Sequence, residues 1–286
     1  MDCIQGERFR GVSDFTYFLD GLPDNYYNLT NTLDESKLKD VNIVYTNTNA
    51  ASHFLNALKN IDKKFILITH SCDCKISLKG IVRPDGSGKE QSVTPYILPD
   101  NLVKWYSKNV NVINSRIESI PIGIENDRWF PEEKKKQRML IKLQETKKTR
   151  NLVYVNINIG TNPNERLKPY TLLKYKPFAT VQEGKNGLRF DNYIDQVYNH
   201  RFILCPEGNG MDTHRTWETL YMGSIPIEKR NLNNRFYTDL PICFIDDWGE
   251  ITKNFLDSEF DRIKNKTWNF KMLTFEYWKD RILLTK

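Results

Sequence analysis

The chain lacks any apolar run approaching the roughly 18 residues of a membrane span, and its opening residues, MDCIQGERFRG, lack the apolar core of a signal peptide. Both absences lead us to expect a soluble cytoplasmic protein. Cysteine is scarce: the five residues stand at 3, 72, 74, 205 and 243. An odd count argues against a disulfide framework, and Cys72-Asp73-Cys74 has the wrong spacing for C-x-x-C redox or zinc chemistry. The four histidines form no H-x-x-x-H, so a zinc site is not expected. Positive charge is scattered rather than interleaved with aromatics on one motif, which argues against nucleic acid as a partner.

What is present describes a globular α/β protein. With 286 residues, 39% hydrophobic and 12% aromatic, the chain is long enough for two domains that each bury a core. Its net charge of +6 suits an anionic ligand without demanding one. Strand and helix patterns alternate: strands over 41–45 and 65–69, a helix over 50–60, a helix over 99–108, then strands over 110–113 and 120–124. Such alternation predicts a parallel sheet covered by helices on both faces. The charged stretch 131–150, with Lys134-Lys135-Lys136 and Lys147-Lys148, reads as a solvated linker helix. We place the boundary there, giving domains 1–140 and 141–286, with an amphipathic helix over 270–284 ending the second. Residues 71–97 read as a long loop, expected to serve as a lid or binding loop.

The densest polar constellation lies in 201–230. Phe202 to Cys205 is an apolar strand ended by Pro206, and Glu207-Gly208-Asn209-Gly210 forms a turn in which the glycines let backbone N–H groups point inward. Asp212 or Thr213 can cap the helix that follows. A helix start carries partial positive charge and unpaired donors, so it suits a diphosphate. His214 and Glu218, four apart, share a helix face, placing a donor near phosphate and a carboxylate near a ribose. Neither a third Gly nor G-K-[ST] is present, so this is not a dinucleotide or P-loop fingerprint.

The order Phe202, Leu204, Pro206, Gly208, Thr213-x-Arg215-x-x-Glu218, Gly223 and Pro226, followed by Leu240-Pro241 and Asp247-Trp248, resembles the signature of exostosin-like glycosyltransferases of family 47. It is most similar to the short forms encoded by large DNA viruses, and the likeness covers about residues 198–250. The resemblance implies a GT-B fold of two Rossmann-like domains facing across a cleft. The second domain would hold a nucleotide sugar, and the anomeric carbon would be inverted. The family usually has Ser where Thr213 stands. Donor choice is open within the resemblance; UDP-xylose is our preference among UDP-sugars, with a glycan hydroxyl as acceptor. No Asp is followed two positions later by another, so metal-independent transfer is expected, with cations and helix ends neutralising the diphosphate. The alternatives are a GDP-fucose-type transferase, a sugar-nucleotide epimerase and a non-catalytic carbohydrate or nucleotide-sugar-binding module.

Ligands of open parallel sheets bind beyond the carboxyl ends of the strands. An inverting transfer needs a base for the acceptor hydroxyl, and Asp73, on a loop after a first-domain strand, is the expected residue. His70 is second; Asp14 and Asp100 are further carboxylates in that half. Arg166 and Arg215 are expected on phosphate, Asn158 on donor hydroxyls and Glu218 on the ribose diol. Tyr193, Phe202 or Tyr237 could offer a shelf for the base.

Overall fold

The structure, a computed structural model, describes residues 2–17, 38, 40–126, 132–145, 151–183 and 189–285. The first unit holds β1 (Phe15–Tyr17), β2 (Ile43–Asn47), β3 (Phe65–His70), β7 (Leu102–Ser107) and β9 (Ile117–Ser119), all parallel and in that order. Helix α1 (Gly6–Arg10) precedes this sheet, and α2 (Ala51–Leu58) connects β2 to β3. Between β3 and β7 the chain forms β4 (Lys75–Ser77), β5 (Gly80–Pro84) and β6 (Glu90–Thr94), which join β8 (Val110–Asn111) in a small separate sheet. Helix α3 (Glu132–Gln144) leads into the second unit. There β10 (Asn151–Ile157), β11 (Ala179–Glu183), β12 (His200–Leu204), β13 (Ile225–Lys229) and β14 (Cys243–Ile245) are parallel in the order β11-β10-β12-β13-β14. Four helices, α4 (Pro163–Leu173), α5 (Phe190–Asn199), α6 (His214–Tyr221) and α7 (Lys253–Lys264), belong to it, and α8 (Phe275–Leu283) follows. The expected α/β class with parallel sheets is therefore present.

Strand alternation explains how both sheets are covered. Ile43, Tyr45, Ile66 and Ile68 enter one buried cluster, while Val44 and Leu67, one residue out of phase, enter another with Phe54, Leu55 and Trp105. In the second sheet Val153, Val155, Phe202 and Leu204 face α4 and α7, whereas Tyr154 and Ile203 face the opposite way. That opposite face joins the first sheet's cluster through Trp217, Tyr237 and Trp278. The period-2 geometry of a strand thus gives three cores, and the middle one belongs to both units.

The last helix ties the units further. Tyr106 OH and Thr285 Oγ1 are 2.6 Å apart, and Arg281 pairs with Glu118. At the other end of the chain, Ile4 N donates to Tyr221 OH at 2.8 Å, Ile124 N to Ile4 O at 2.9 Å, and Phe275 N to Asp2 O at 3.3 Å.

Four expectations change. The strand expected over 120–124 lies just before it, as β9. The stretch read as a helix over 99–108 contains strand β7, whose Leu102, Trp105 and Tyr106 fill the first unit's cores. Residues 71–97 contain three strands rather than a bare loop. The proposed 140/141 boundary falls inside α3, which is bound to the second unit by Arg138–Asp191, Lys142–Asp195 and Lys135–Glu218 ion pairs. Lys135 is thus buried and paired rather than solvated; Lys147 and Lys148 lie outside the described residues.

Candidate functional site

A cavity of about 580 Å³ opens where the carboxyl ends of both sheets meet. From the first unit it is lined by His70, Cys72 and Asp73 after β3, Lys108 after β7, Ile122 and Glu125 after β9, and Glu7 of α1. From the second it takes Thr161 and Arg166 beyond β10, and Gly208, Asn209, Gly210, Asp212, Thr213 and His214 beyond β12. The strand order reverses about β10, because β11 lies on one side and β12 on the other. Loops leaving two such strands diverge and open a crevice, and the two loops of this site are those.

Arg166 projects from α4, which starts with Asn162 as its side-chain cap and Pro163 at its first turn. Its Nε donates to Glu207 O at 2.9 Å and its Nη1 to Asn158 O at 3.0 Å. Among the described residues no carboxylate pairs with it. Burial, helped by Arg215, lowers its pKa to about 10, so it remains a cation at neutral pH. A Cβ on Gly208 would come within 2.9 Å of Arg166 Nη2, and one on Gly210 within 2.7 Å of Asn109 Nδ2. These glycines therefore serve close approach by side chains. Asn109, at φ 59°, uses its Oδ1 to accept from Met211 N at 2.8 Å and Asp212 N at 2.9 Å, which fixes the cradle against the first unit.

The helix start is open. Thr213 occupies the cap position with extended backbone, yet its side chain makes no capping bond. Asp212 does not cap either: its carboxylate accepts from Ile122 N at 2.7 Å and Trp217 Nε1 at 2.9 Å. Burial pushes its pKa up to about 6 despite those bonds. His214 donates from Nδ1 to Gly123 O at 2.7 Å, leaving Nε2 3.4 Å from Glu125 Oε2. Burial outweighs the Glu125 carboxylate and lowers the His214 pKa.

On the first-unit side Asp73 keeps an exposed carboxylate, 44% accessible, with Lys108 Nζ 3.5 Å away. The ammonium of Lys108 is itself buried. His70 lines the cavity but is only 2% exposed, set between Gly6 and the Phe9 ring. Ser71 N donates to its Nδ1 at 2.8 Å, and Nε2 faces Pro121 O at 3.4 Å. One ring nitrogen accepts and the other must donate, so no lone pair is left for an incoming hydroxyl. Burial and the Lys108 charge also hold its pKa well below the usual histidine value. His70 is thus a structural histidine. Asp14 is structural too, its Oδ2 accepting from Asn42 N and Ile43 N at 2.9 Å each.

Several other expected residues lie elsewhere. Asn158 caps the short turn after β10 by accepting from Gly160 N at 3.0 Å. Arg215 bonds Asn156 O and lies 5.6 Å over the Tyr193 ring, off the cavity lining. Glu218 is also off the lining, 3.1 Å from Lys135 Nζ. Burial works to raise its pKa, and the Lys135 ammonium outweighs this and lowers it. Phe202 and Tyr237 are fully buried and offer no shelf. Glu207 is held by Lys75 Nζ at 3.5 Å and Asn231 Nδ2 at 2.9 Å behind the cradle. With its amide turned to donate, Asn209 reaches Gly86 O at 3.2 Å and Thr161 O at 3.3 Å, tying the β5–β6 turn to the second unit.

Lys108, Glu125 and Asn109 were not singled out from the sequence. A signal existed: Ser107-Lys108-Asn109 directly follows a strand, but that strand reads as a helix. Chemically the arrangement offers two cations and an open helix start for an anion, facing the accessible carboxylates of Asp73, Glu7 and Glu125 on the first-unit wall. Searches with this chain find no matching family model and no significant match among curated proteins.

Proposed function

We propose that this protein is a metal-independent inverting glycosyltransferase that moves a sugar from a UDP-sugar to a glycan hydroxyl. The observation that carries the reading is Arg166: a half-buried cation on the cavity wall, bonded to carbonyls rather than to a carboxylate, with the uncapped start of α6 on the same cavity. An arginine left without a carboxylate at a helix start suits a phosphate group. Lys108 approaches from the first unit, so both units can neutralise a diphosphate leaving group. Asp73, on the opposite wall, would take the proton of the acceptor hydroxyl as that oxygen attacks the anomeric carbon. Two parallel sheets with their carboxyl ends at one cleft agree with a compact GT-B arrangement, and the motif of residues 202–248 supports the family. UDP-xylose remains the preferred donor on that resemblance alone.

Calorimetric titration of uridine, UMP and UDP in excess chelator tests the anion site. Affinity should rise with each phosphate, and UDP binding should persist without divalent metal. Equal affinity for uridine and UDP, or UDP binding that needs a divalent ion, would refute the proposal.

A further inference from the structure

Gly123, just beyond β9, fixes which nitrogen of His214 carries the proton. It sits at φ 68°, where a side chain is strained, and a Cβ there would strike Ile4 O. Its neighbours are pinned on both sides: Ile122 N donates to Asp212 Oδ2 at 2.7 Å and Ile124 N to Ile4 O at 2.9 Å. The Gly123 carbonyl is thereby held 2.7 Å from His214 Nδ1, at the start of α6. A carbonyl can only accept, so Nδ1 bears the hydrogen. Burial lowers the His214 pKa, the ring is neutral at pH 7, and its Nε2 presents a lone pair.

That lone pair meets a second acceptor. Glu125 Oε2 lies 3.4 Å away, while its Oε1 accepts from Asn126 N at 3.0 Å, which orients the carboxylate. Gln5 Nε2 donates to the Glu125 carbonyl at 3.0 Å, so the backbone is fixed as well. Both side chains line the cleft, 30% and 29% accessible, and among the described residues no donor reaches either of the two facing atoms. Two acceptors so close repel one another until a ligand donates to both. A vicinal diol supplies two hydroxyls side by side, one for each acceptor.

We propose that His214 Nε2 and Glu125 Oε2 together bind a vicinal diol of the nucleotide sugar, one hydroxyl donating to each. The proposal rests on the transferase reading of the cleft, in which the ligand carries such diols on its ribose and on the transferred sugar. Glu218, the carboxylate expected at the ribose from the sequence, is paired with Lys135 off the cavity lining and leaves that task open.

Calorimetry with UDP, 2′,3′-dideoxy-UDP and UDP-xylose tests the pair. If the ribose supplies the diol, UDP should bind about 30-fold or more tighter than the dideoxy analogue, the effect of one neutral and one charge-assisted hydrogen bond. Glu125→Ala should then cut that ratio about tenfold and His214→Ala about fivefold. If the transferred sugar supplies it, UDP and its dideoxy analogue should bind alike. UDP-xylose should then bind about 30-fold or more tighter than UDP, with the same losses in the two variants. Ratios are the readout because losing the Glu125 charge by itself favours any anion. Inorganic pyrophosphate, which has no diol, should bind both variants at least as tightly as the parent, reporting an intact cleft. Nucleotide binding with no preference for either diol, or a preference that both variants retain, would overturn the proposal and leave the transferase reading standing. Failure of the parent protein to bind any of the three nucleotides would overturn both.

Discussion

The two parallel sheets each have five strands, yet only the second reverses its order. In the first unit the strands follow one another from β1 to β9 without a change of direction, so the sheet opens no crevice of its own. In the second, the reversal about β10 separates two loops, and those loops carry Arg166 and the Gly208–Gly210 turn. The first unit contributes instead through single polar residues beyond strand ends, Asp73 and Lys108. Topology thus divides the cavity: Arg166 and the glycine turn come from the second sheet, and Asp73 with Lys108 from the first.

The most demanding test of that division is Asp73→Asn. A general base contributes about 10²- to 10⁴-fold to rate, so transfer should fall by that factor while UDP affinity stays near that of the parent. Parallel measurement of sugar transfer and donor binding separates the two; near-normal turnover would remove Asp73 from the chemistry. Next in size is a pair on the second unit. Arg166→Ala should weaken UDP about 100-fold, a loss of about 3 kcal/mol in charge-assisted bonds. Arg215→Ala, whose guanidinium lies off the cavity, should leave UDP affinity within about threefold. If the two arginines exchanged these outcomes, the anion would bind behind α6 rather than in the cleft.

The smallest effect concerns the seam between the units. Asp212 titrates at about 6 in the folded protein and near 3.8 as a free side chain. The folded state holds that proton more tightly, so the stability it contributes is full below pH 3.8 and is lost as pH rises through about 6. The difference corresponds to at most roughly 3 kcal/mol. Denaturant melts across this window should show the slope in the parent and lose it in Asp212→Asn. An unchanged slope would mean that Asp212 is better solvated than its position between Ile122 and Trp217 implies.

Much of the fold could be read because parallel strands buried on both faces are short apolar runs: 41–45 overlaps β2 and 65–69 falls within β3. The failures have physical causes. Leu102, Trp105 and Tyr106 are spaced three and four apart, as on a helix face, and only tertiary packing between β3 and β9 makes that stretch a strand. Misreading it hid Lys108 and Asn109. Strand β6 is exposed along its whole length, so no apolar alternation marks it, and its neighbours β4 and β5 are short. The strand, glycine turn and helix pattern located Gly208 and His214 on the cavity, and the rule that ligands bind beyond strand ends located Arg166. Neither could foresee that Lys135, from a run resembling a solvated linker, would occupy the carboxylate of Glu218.

The hydrogen bonds from Ile4 to Tyr221 and from Phe275 to Asp2 impose an order on folding during synthesis. At about 5–20 residues per second, roughly 10–60 s separate translation of the first residues from that of their partners. Throughout that interval Cys3, Ile4 and Phe9, all fully buried in the finished protein, can pack only on the first unit's part of their cluster, such as His70 beneath Phe9. The core shared by the two units therefore closes only after α6 and α8 have been made, so its burial arrives late and in one step.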